Sequence, residues 1–281
     1  MKHFAVIGHP VAHSRSPAIH QAFARQFGHA IRYSRLHAAP DCFADVLEAF
    51  RAGGGDGVNV TLPFKREAYA ICSQLSPRAQ AAAAVNTIDF SEGTIYGDNT
   101  DGVGLVDDLT KRLGFLLQGS SLMIFGAGGA TQGVLAPMFQ AGCAHITLVN
   151  RDVEKARQLC SAFHKHHGSH QLAYCAYSDL SARAQTQNFD VLINATATGL
   201  SKEKLPIPDE LFASSRLAYD MFYAAAPTAF MQQAYAAGCQ QQSDGLGMLV
   251  SQAAHAYARW HGLMPETAQL YQDLRAEIDA S

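Results

Sequence analysis

Residues 121–151 limit what this chain can fold into more than any other stretch. Leu122-Met123-Ile124-Phe125 is a short apolar run of the kind that fills a strand buried on both faces. It gives way to Gly126-Ala127-Gly128-Gly129-Ala130-Thr131-Gln132-Gly133, after which helical periodicity resumes through Val134, Leu135, Met138 and Phe139. Gly142 stands where a left-handed cap ends a helix, and His145-Ile146-Thr147-Leu148-Val149 reads as a second strand. Strand, glycine turn, helix, strand is the opening of a doubly wound, dinucleotide-binding α/β sheet. Its glycines admit a pyrophosphate close to the backbone, and the free N–H groups of the helix start receive its charge.

The remaining sequence has to supply a substrate site. A chain of 281 residues has room for two domains. Its net charge of -3 and mixed charge placement give no basic surface, so no nucleic-acid partner is expected. No apolar run reaches the roughly 18 residues of a membrane span. Phe4-Ala5-Val6-Ile7 is too short for a signal segment, and Gly8-His9-Pro10 ends it as a strand is ended. The cysteines (Cys42, Cys72, Cys143, Cys160, Cys175, Cys239) are scattered without C-x-x-C spacing. They fit buried thiols in a reducing compartment, with no metal site, and a soluble cytoplasmic protein is expected.

Before residue 100 the pattern is a second α/β unit without a glycine fingerprint. Phe4–Gly8, Ile31–Leu36 and Gly57–Thr61 read as strands, and two helices separate them. The first helix sets Ile19, Phe23 and Phe27 on one face; the second, from Asp41 to Ala52, points Phe43, Val46, Leu47 and Phe50 inward. Ser16-Pro17 reads as an N-cap followed by the residue suited to the first helical position, which leaves Ser14 without a local role. Lys65 begins a short helix, and Ala81–Ala84 reads as tight helix packing. Val85–Phe90 and Thr94–Gly97 read as a hairpin around the three-residue turn Ser91-Glu92-Gly93. Asp98-Asn99-Thr100-Asp101-Gly102 then caps a helix through Val103, Leu105, Val106 and Leu109, with more acids than one cap requires.

Several of these segments together resemble the shikimate dehydrogenase family. They are Ser14-Arg15-Ser16-Pro17, Asn59-Val60-Thr61-Leu62-Pro63-Phe64-Lys65, Asn86-Thr87, Gly97-Asp98-Asn99-Thr100-Asp101-Gly102 and Asp244-Gly245-Leu246-Gly247-Met248-Leu249-Val250-Ser251-Gln252. The likeness runs in order from Val6 to about His261. It implies two α/β lobes: a substrate-binding domain made of residues 1–101 and 244–281, and a Rossmann-like NADP-binding domain over 102–243. The C-terminal helices would pack back on the first lobe. The implied reaction is NADPH-dependent reduction of 3-dehydroshikimate to shikimate. By resemblance Lys65 and Asp101 form the catalytic pair, and Ser14, Ser16, Thr61, Asn86, Tyr223 and Gln252 hold the substrate. The cofactor would lie on Gly126, Ala127, Gly128, Gly129, Ala130, Asn150, Arg151, Lys155, Met221 and Gly245.

The chemistry can also be argued from residue types. Hydride reduction of a ketone needs a proton for the developing alkoxide. A lysine ammonium, with the usual side-chain pKa of about 10.4, supplies one at neutral pH, and a carboxylate beside it holds it in place. Read locally, Lys65 is instead a solvated helix-start lysine paired with Glu67, and Asp101 a helix N-terminal charge. Arg151 after the second strand suits a 2′-phosphate, whereas an acid there selects NAD. Asp152 follows it, either as the cap of the helix through Ala156 and Leu159 or facing the ribose.

Later segments fit the same lobe. Phe189–Asn194 and Leu217–Met221 read as strands, with Ala195-Thr196-Ala197-Thr198-Gly199 as a loop on the nucleotide's edge. His164, His166, His167 and His170 read as an exposed loop. One helix from Gly247 to His261 and another from about Thr267 close the chain. The competing readings are a quinate/shikimate dehydrogenase using NAD or NADP, a non-catalytic nucleotide-responsive binding protein, and a methyltransferase. The expected partner is a small-molecule substrate, and the expected assembly a monomer or homodimer.

Overall fold

The structure, a computed structural model, describes residues 1–91, 93–167, 171–198 and 203–280. Glu92 of the expected turn, His170 and Gly199 lie outside the described residues. The chain divides into two compact units, Met1–Gly104 with Leu249–Gln272, and Leu105–Met248 with the residues from Asp273 on.

The first unit contains β1 (Lys2–Gly8), α1 (Ser16–Gln26), β2 (Ile31–His37), α2 (Phe43–Ala52), β3 (Gly57–Val60), α3 (Lys65–Ile71), β4 (Gln74–Leu75), α4 (Pro77–Ala82), β5 (Thr87–Asp89) and β6 (Tyr96–Asp98). Its sheet runs β2-β1-β3-β5-β6-β4. The first three strands are parallel, as two helical crossovers require, while β5 is antiparallel to both β3 and β6. Phe4, Ala5, Val6 and Ile7 are buried at the centre of this sheet.

Four local expectations change. Ser16 does not cap α1: it is the helix's first residue, and its N–H donates to Ser14 Oγ at 3.3 Å. The alanine tract ends α4 instead of filling its interior, with Ala83 in the left-handed region at φ +44°. The hairpin strands are shorter than expected. The Asp89 carboxylate accepts from Ser91 N and Arg259 Nε, which turns the chain away at Asp89. Helix α2 starts at Phe43 and not at Asp41, which sits at φ +70°.

The second unit takes in the later part of α5 (Asp101–Asp107), a π-helical turn at Asp108–Arg112, and β7 (Ser121–Phe125), α6 (Gly129–Gln140), β8 (His145–Val149), α7 (Val153–His167), β9 (Gln171–Cys175), α8 (Leu180–Thr186), β10 (Val191–Asn194), α9 (Asp209–Ser214), β11 (Leu217–Asp220), α10 (Ala229–Ala236) and β12 (Gln241–Asp244). Its sheet is parallel throughout, in the order β12-β11-β10-β7-β8-β9. This is the doubly wound arrangement, with the topological switch between β7 and β10. Gly142 has φ +95°, and its N–H and that of Cys143 close α6 on Phe139 O and Met138 O.

The histidine tract is helical, not a loop. His164, His166 and His167 belong to the last turn of α7, where His167 stacks on Phe163 at 4.5 Å between ring centroids. A helix C-terminus favours such basic residues. No group of three or more metal-ligating side chains forms among the described residues. All six cysteines are free; four are buried, Cys72 is half-buried, and Cys42 is exposed against expectation because it precedes the first inward residue of α2. No helix among the described residues is long and apolar enough to cross a membrane.

Helices α11 (Leu246–His261) and α12 (Ala268–Asp279) close the chain. Within the first unit the part of α11 from Leu249 is fixed by the single tryptophan. Trp260 stacks on Phe4 at 4.4 Å and donates from Nε1 to Ile88 O at 3.0 Å. Gly57 makes room for it, since a Cβ there would meet the indole nitrogen at 2.6 Å.

Beside this tryptophan His20 is 1 % exposed and stacks on Tyr33. Burial pushes its imidazole down to about 3. The Asn59 side chain opposes that shift without reaching hydrogen-bond geometry to either ring nitrogen. Below the ordinary histidine value of 6.5 the unfolded chain takes up a proton that the folded chain refuses. His20 therefore withdraws stability progressively as pH falls below 6.5, and withdraws none above it. Thermal melts of the wild type and His20→Phe between pH 7 and 5 are expected to show a shallower acid loss in the variant. Parallel curves would remove His20 as the cause.

Candidate active site

Lys65 and Asp101 lie 36 residues apart in sequence, and the fold brings them together at the first positions of α3 and α5. Lys65 Nζ donates to Asp101 Oδ2 at 2.6 Å, with both side chains largely buried. A cation at a helix N-terminus opposes the helix dipole, whereas an acid there is favoured. Lys65 is therefore placed against its local preference, and Asp101, not Glu67, compensates it.

Asp101 is itself held from several sides. Its other oxygen, Oδ1, accepts from Asn86 Nδ2 at 2.8 Å, and its backbone N–H donates to Asn99 Oδ1. Asn86 is 2 % exposed. Its Oδ1 accepts from Thr100 N at 2.9 Å, and its Nδ2 also reaches Gln252 Oε1 at 3.3 Å, to which Thr100 Oγ1 donates at 3.2 Å. Gln252 can come this near because residue 104 is glycine: a Cβ there would lie 2.6 Å from Gln252 Cβ and 2.7 Å from its backbone nitrogen. The cluster Lys65, Asp101, Asn86, Thr100 and Gln252 is one connected polar site. Nearby, Asp98 is buried, which alone would raise its carboxyl. Arg78, Ser76 Oγ and the Asn99 N–H outweigh burial and hold it below the usual range.

Ser14 and Ser16 lie on the loop after β1 and at the start of α1. Ser14 Oγ donates to Ser16 Oγ at 3.2 Å, and Arg35 fixes the loop through two bonds to Ser14 O. Thr61 follows β3, tied by its N–H to Ile7 O at 2.9 Å. Tyr223 is in the second unit, beyond β11, half-buried against Phe222.

In the second unit the glycine loop sits at the switch point. Gly126 is required by the protein itself: its φ is +112°, and a Cβ would lie 3.0 Å from Ala195 O. Gly128 and Gly129 are different, because a Cβ on either would meet nothing within 4 Å. The protein's own packing leaves glycine unexplained there. The first intrahelical bond of α6 is Gln132 N to Gly128 O, so the N–H groups of Gly129, Ala130 and Thr131 have no partner within the helix. Ala127 lies within this turn. These features fit the pyrophosphate of a dinucleotide.

At the end of β8, Asn150 Nδ2 donates to Asp152 O, and Asp152 Oδ1 accepts from Glu154 N at 3.1 Å. Asp152 is thus the cap of α7. Arg151 is exposed and 3.5 Å from Glu203, and Lys155 is exposed on the first turn of α7. Met221 N donates to Asn194 O at 2.9 Å, and Gly245 lets the chain pack against the Met221 carbonyl.

Residues 6–88 match the family described as "Shikimate dehydrogenase substrate binding domain", 108–204 "Shikimate / quinate 5-dehydrogenase", and 245–275 "Shikimate 5'-dehydrogenase C-terminal domain". A shikimate dehydrogenase (NADP(+)) of Aromatoleum aromaticum is 47% identical over 276 residues, covering 98% of both chains. This chain belongs to the shikimate dehydrogenase family. Among solved structures, an Ael1 enzyme from Pseudomonas putida is similar with a TM-score of 0.91 and 36% identity, covering 98% of each chain. The shikimate 5-dehydrogenase of Thermus thermophilus, solved with NADP(H) and shikimate, has a TM-score of 0.85 and 34% identity, covering 98% of this chain and 99% of that one.

Sequence reading of this family member assigned no role to Tyr33, Asn59, Thr87 or Thr100, all hydrogen-bonded within or behind the cluster. One signal was available: Asn59 is a polar residue inside an otherwise buried apolar strand, and such groups need partners.

Proposed function

We propose that this chain reduces 3-dehydroshikimate to shikimate with NADPH, reversibly, with Lys65 and Asp101 as the catalytic pair. The observation that carries the reading is the 2.6 Å bond from Lys65 Nζ to Asp101 Oδ2 inside the Asn86–Thr100–Gln252 cluster. Bound NADPH supplies the hydride. The Lys65 ammonium gives a proton to the substrate oxygen as negative charge develops there, and Asp101 holds the ammonium in place. Asn86, Gln252, Thr61 and Tyr223 bind the substrate's hydroxyls, and Ser14 and Ser16 bind its carboxylate. Residues 1–101 and 244–281 act as the substrate domain and 102–243 as the nucleotide domain.

NADP is taken in preference to NAD. Arg151 and Lys155 offer positive charge to a 2′-phosphate, and Asp152, engaged as a cap, does not compete for the ribose. The serine pair favours shikimate over quinate, which carries one hydroxyl more. The protein works in the cytoplasm as a monomer or homodimer, with no nucleic-acid or membrane partner. Steady-state oxidation of shikimate and quinate, each with NADP and with NAD, tests the reading. The highest kcat/KM is expected for shikimate with NADP, and no turnover of either acid would overturn the proposal. Oxidation needs the free amine of Lys65 as base, so its rate is expected to rise with pH while chemistry limits turnover. A flat profile under those conditions would remove Lys65 as the base.

A further inference from the structure

A chain of hydrogen bonds inside the first unit runs from Tyr33, beside Ser16, to the Lys65–Asp101 pair. Ser14 Oγ donates to Ser16 Oγ at 3.2 Å, and the Ser16 side chain lies close enough to the Tyr33 phenol to work against the upward shift that burial gives it. Tyr33 donates to Asn59 Oδ1 at 2.6 Å. Asn59 Nδ2 donates to Thr87 Oγ1 at 3.1 Å, and Thr87 donates to Asn86 Oδ1 at 2.9 Å. Asn86 Nδ2 then reaches Asp101 Oδ1, whose partner oxygen holds Lys65.

One backbone group sets the polarity of every link. Thr100 N–H can only donate, so it turns the Asn86 oxygen toward itself and the Asn86 nitrogen toward Asp101. The Thr87 hydroxyl must then give its proton to Asn86 and accept from Asn59. That leaves the Asn59 oxygen facing Tyr33, whose single proton goes to it. Asn59 is 6 % exposed, Tyr33 8 % and Thr87 0 %, so water cannot replace a lost partner.

We propose that the buried hydroxyls of Tyr33 and Thr87 are positioning groups that fix the Asn59 and Asn86 amides and hold Ser16 and Asp101 in register with Lys65. The assignment rests on the proposed reaction, in which Ser16, beside Tyr33, and Lys65 touch one substrate. Tyr33 lies next to the carboxylate-binding end and therefore acts on substrate binding. Thr87 lies next to Asn86 and Asp101 and therefore acts on turnover.

The test uses the full-length enzyme with shikimate and NADP. Thr87→Val keeps the shape and loses the hydroxyl, whereas Thr87→Ser keeps the hydroxyl and loses a methyl. Thr87→Val is expected to lower kcat about 10–100-fold, as a misplaced catalytic group does. Thr87→Ser is expected to stay close to wild type. Tyr33→Phe is expected to raise KM for shikimate about 10-fold, the effect of one buried hydrogen bond, with a smaller change in kcat. KM for NADP is expected to stay the same in all three. A Val variant nearer to wild type than the Ser variant would make Thr87 a packing residue and overturn its role. A Tyr33→Phe enzyme with unchanged KM would overturn that of Tyr33, and if Thr87→Val fails to fold, Tyr33→Phe and Thr87→Ser decide. A wild-type enzyme that does not oxidise shikimate overturns the functional reading and the relay with it. Normal wild-type turnover with unaltered variants overturns the relay alone.

Discussion

Lys65→Ala is expected to lose about 10²–10⁴-fold in kcat for shikimate oxidation, with NADP affinity unchanged. The ammonium has one strong partner, Asp101 at 2.6 Å, and stands where the helix dipole disfavours a cation. A lysine held against local preference by a carboxylate adds little to the helix it begins, which fits the proposed role in proton transfer. Removing it leaves Asp101 with Asn86 and its backbone contacts, so the fold is expected to survive while the proposed proton transfer is lost. Lys65→Arg sharpens the test. A guanidinium keeps the charge and the ion pair but does not give up its proton at accessible pH. It is expected to keep the ion pair to Asp101 without restoring turnover. Steady-state kinetics with a nucleotide titration decide the matter, and wild-type turnover in Lys65→Ala would end the case for this residue.

Gly129→Val is expected to weaken NADP binding about 10–150-fold while leaving the melting temperature close to wild type. Nothing in the protein lies within 4 Å of a Cβ at this position, so the fold tolerates a side chain. The same side chain would stand between the N–H groups of the first turn of α6 and a phosphate. Loss of one charge-assisted bond is worth roughly 1.5–3 kcal/mol, which converts to that fold-change. Gly126→Val makes the contrast. Its φ of +112° and the Ala195 carbonyl 3.0 Å away oppose any side chain, so the melting temperature falls as well. Nucleotide titration and thermal melts of the two variants separate a ligand-facing glycine from a structural one. Undiminished NADP binding by Gly129→Val would move the pyrophosphate away from this turn.

The strands and helices of both units were legible because their apolar residues repeat at strand or helix period over short stretches. The 121–151 segment was the clearest, since a buried strand, a glycine turn and a capped helix each leave a separate mark within its 31 residues. Residues whose role depends on a distant partner were harder to read. Ser16 looked like a cap because Pro17 follows it, yet its first-turn N–H donates to Ser14 Oγ and its hydroxyl accepts from Ser14 Oγ. The histidines of α7 looked like a loop because polarity hid a helix stabilised by the Phe163–His167 stack.

By itself the sequence determined the local elements, the glycine turn and the motifs that mark this family, because these depend on neighbours within a few residues. Which acid neutralises Lys65, which residues hold Asn86, and how Gln252 arrives 166 positions later were decided only by the tertiary structure. The physical reason is that a hydrogen bond in a buried site is set by distance and direction in space. Two residues far apart in the chain leave no local pattern to show that the fold will bring them within 3 Å.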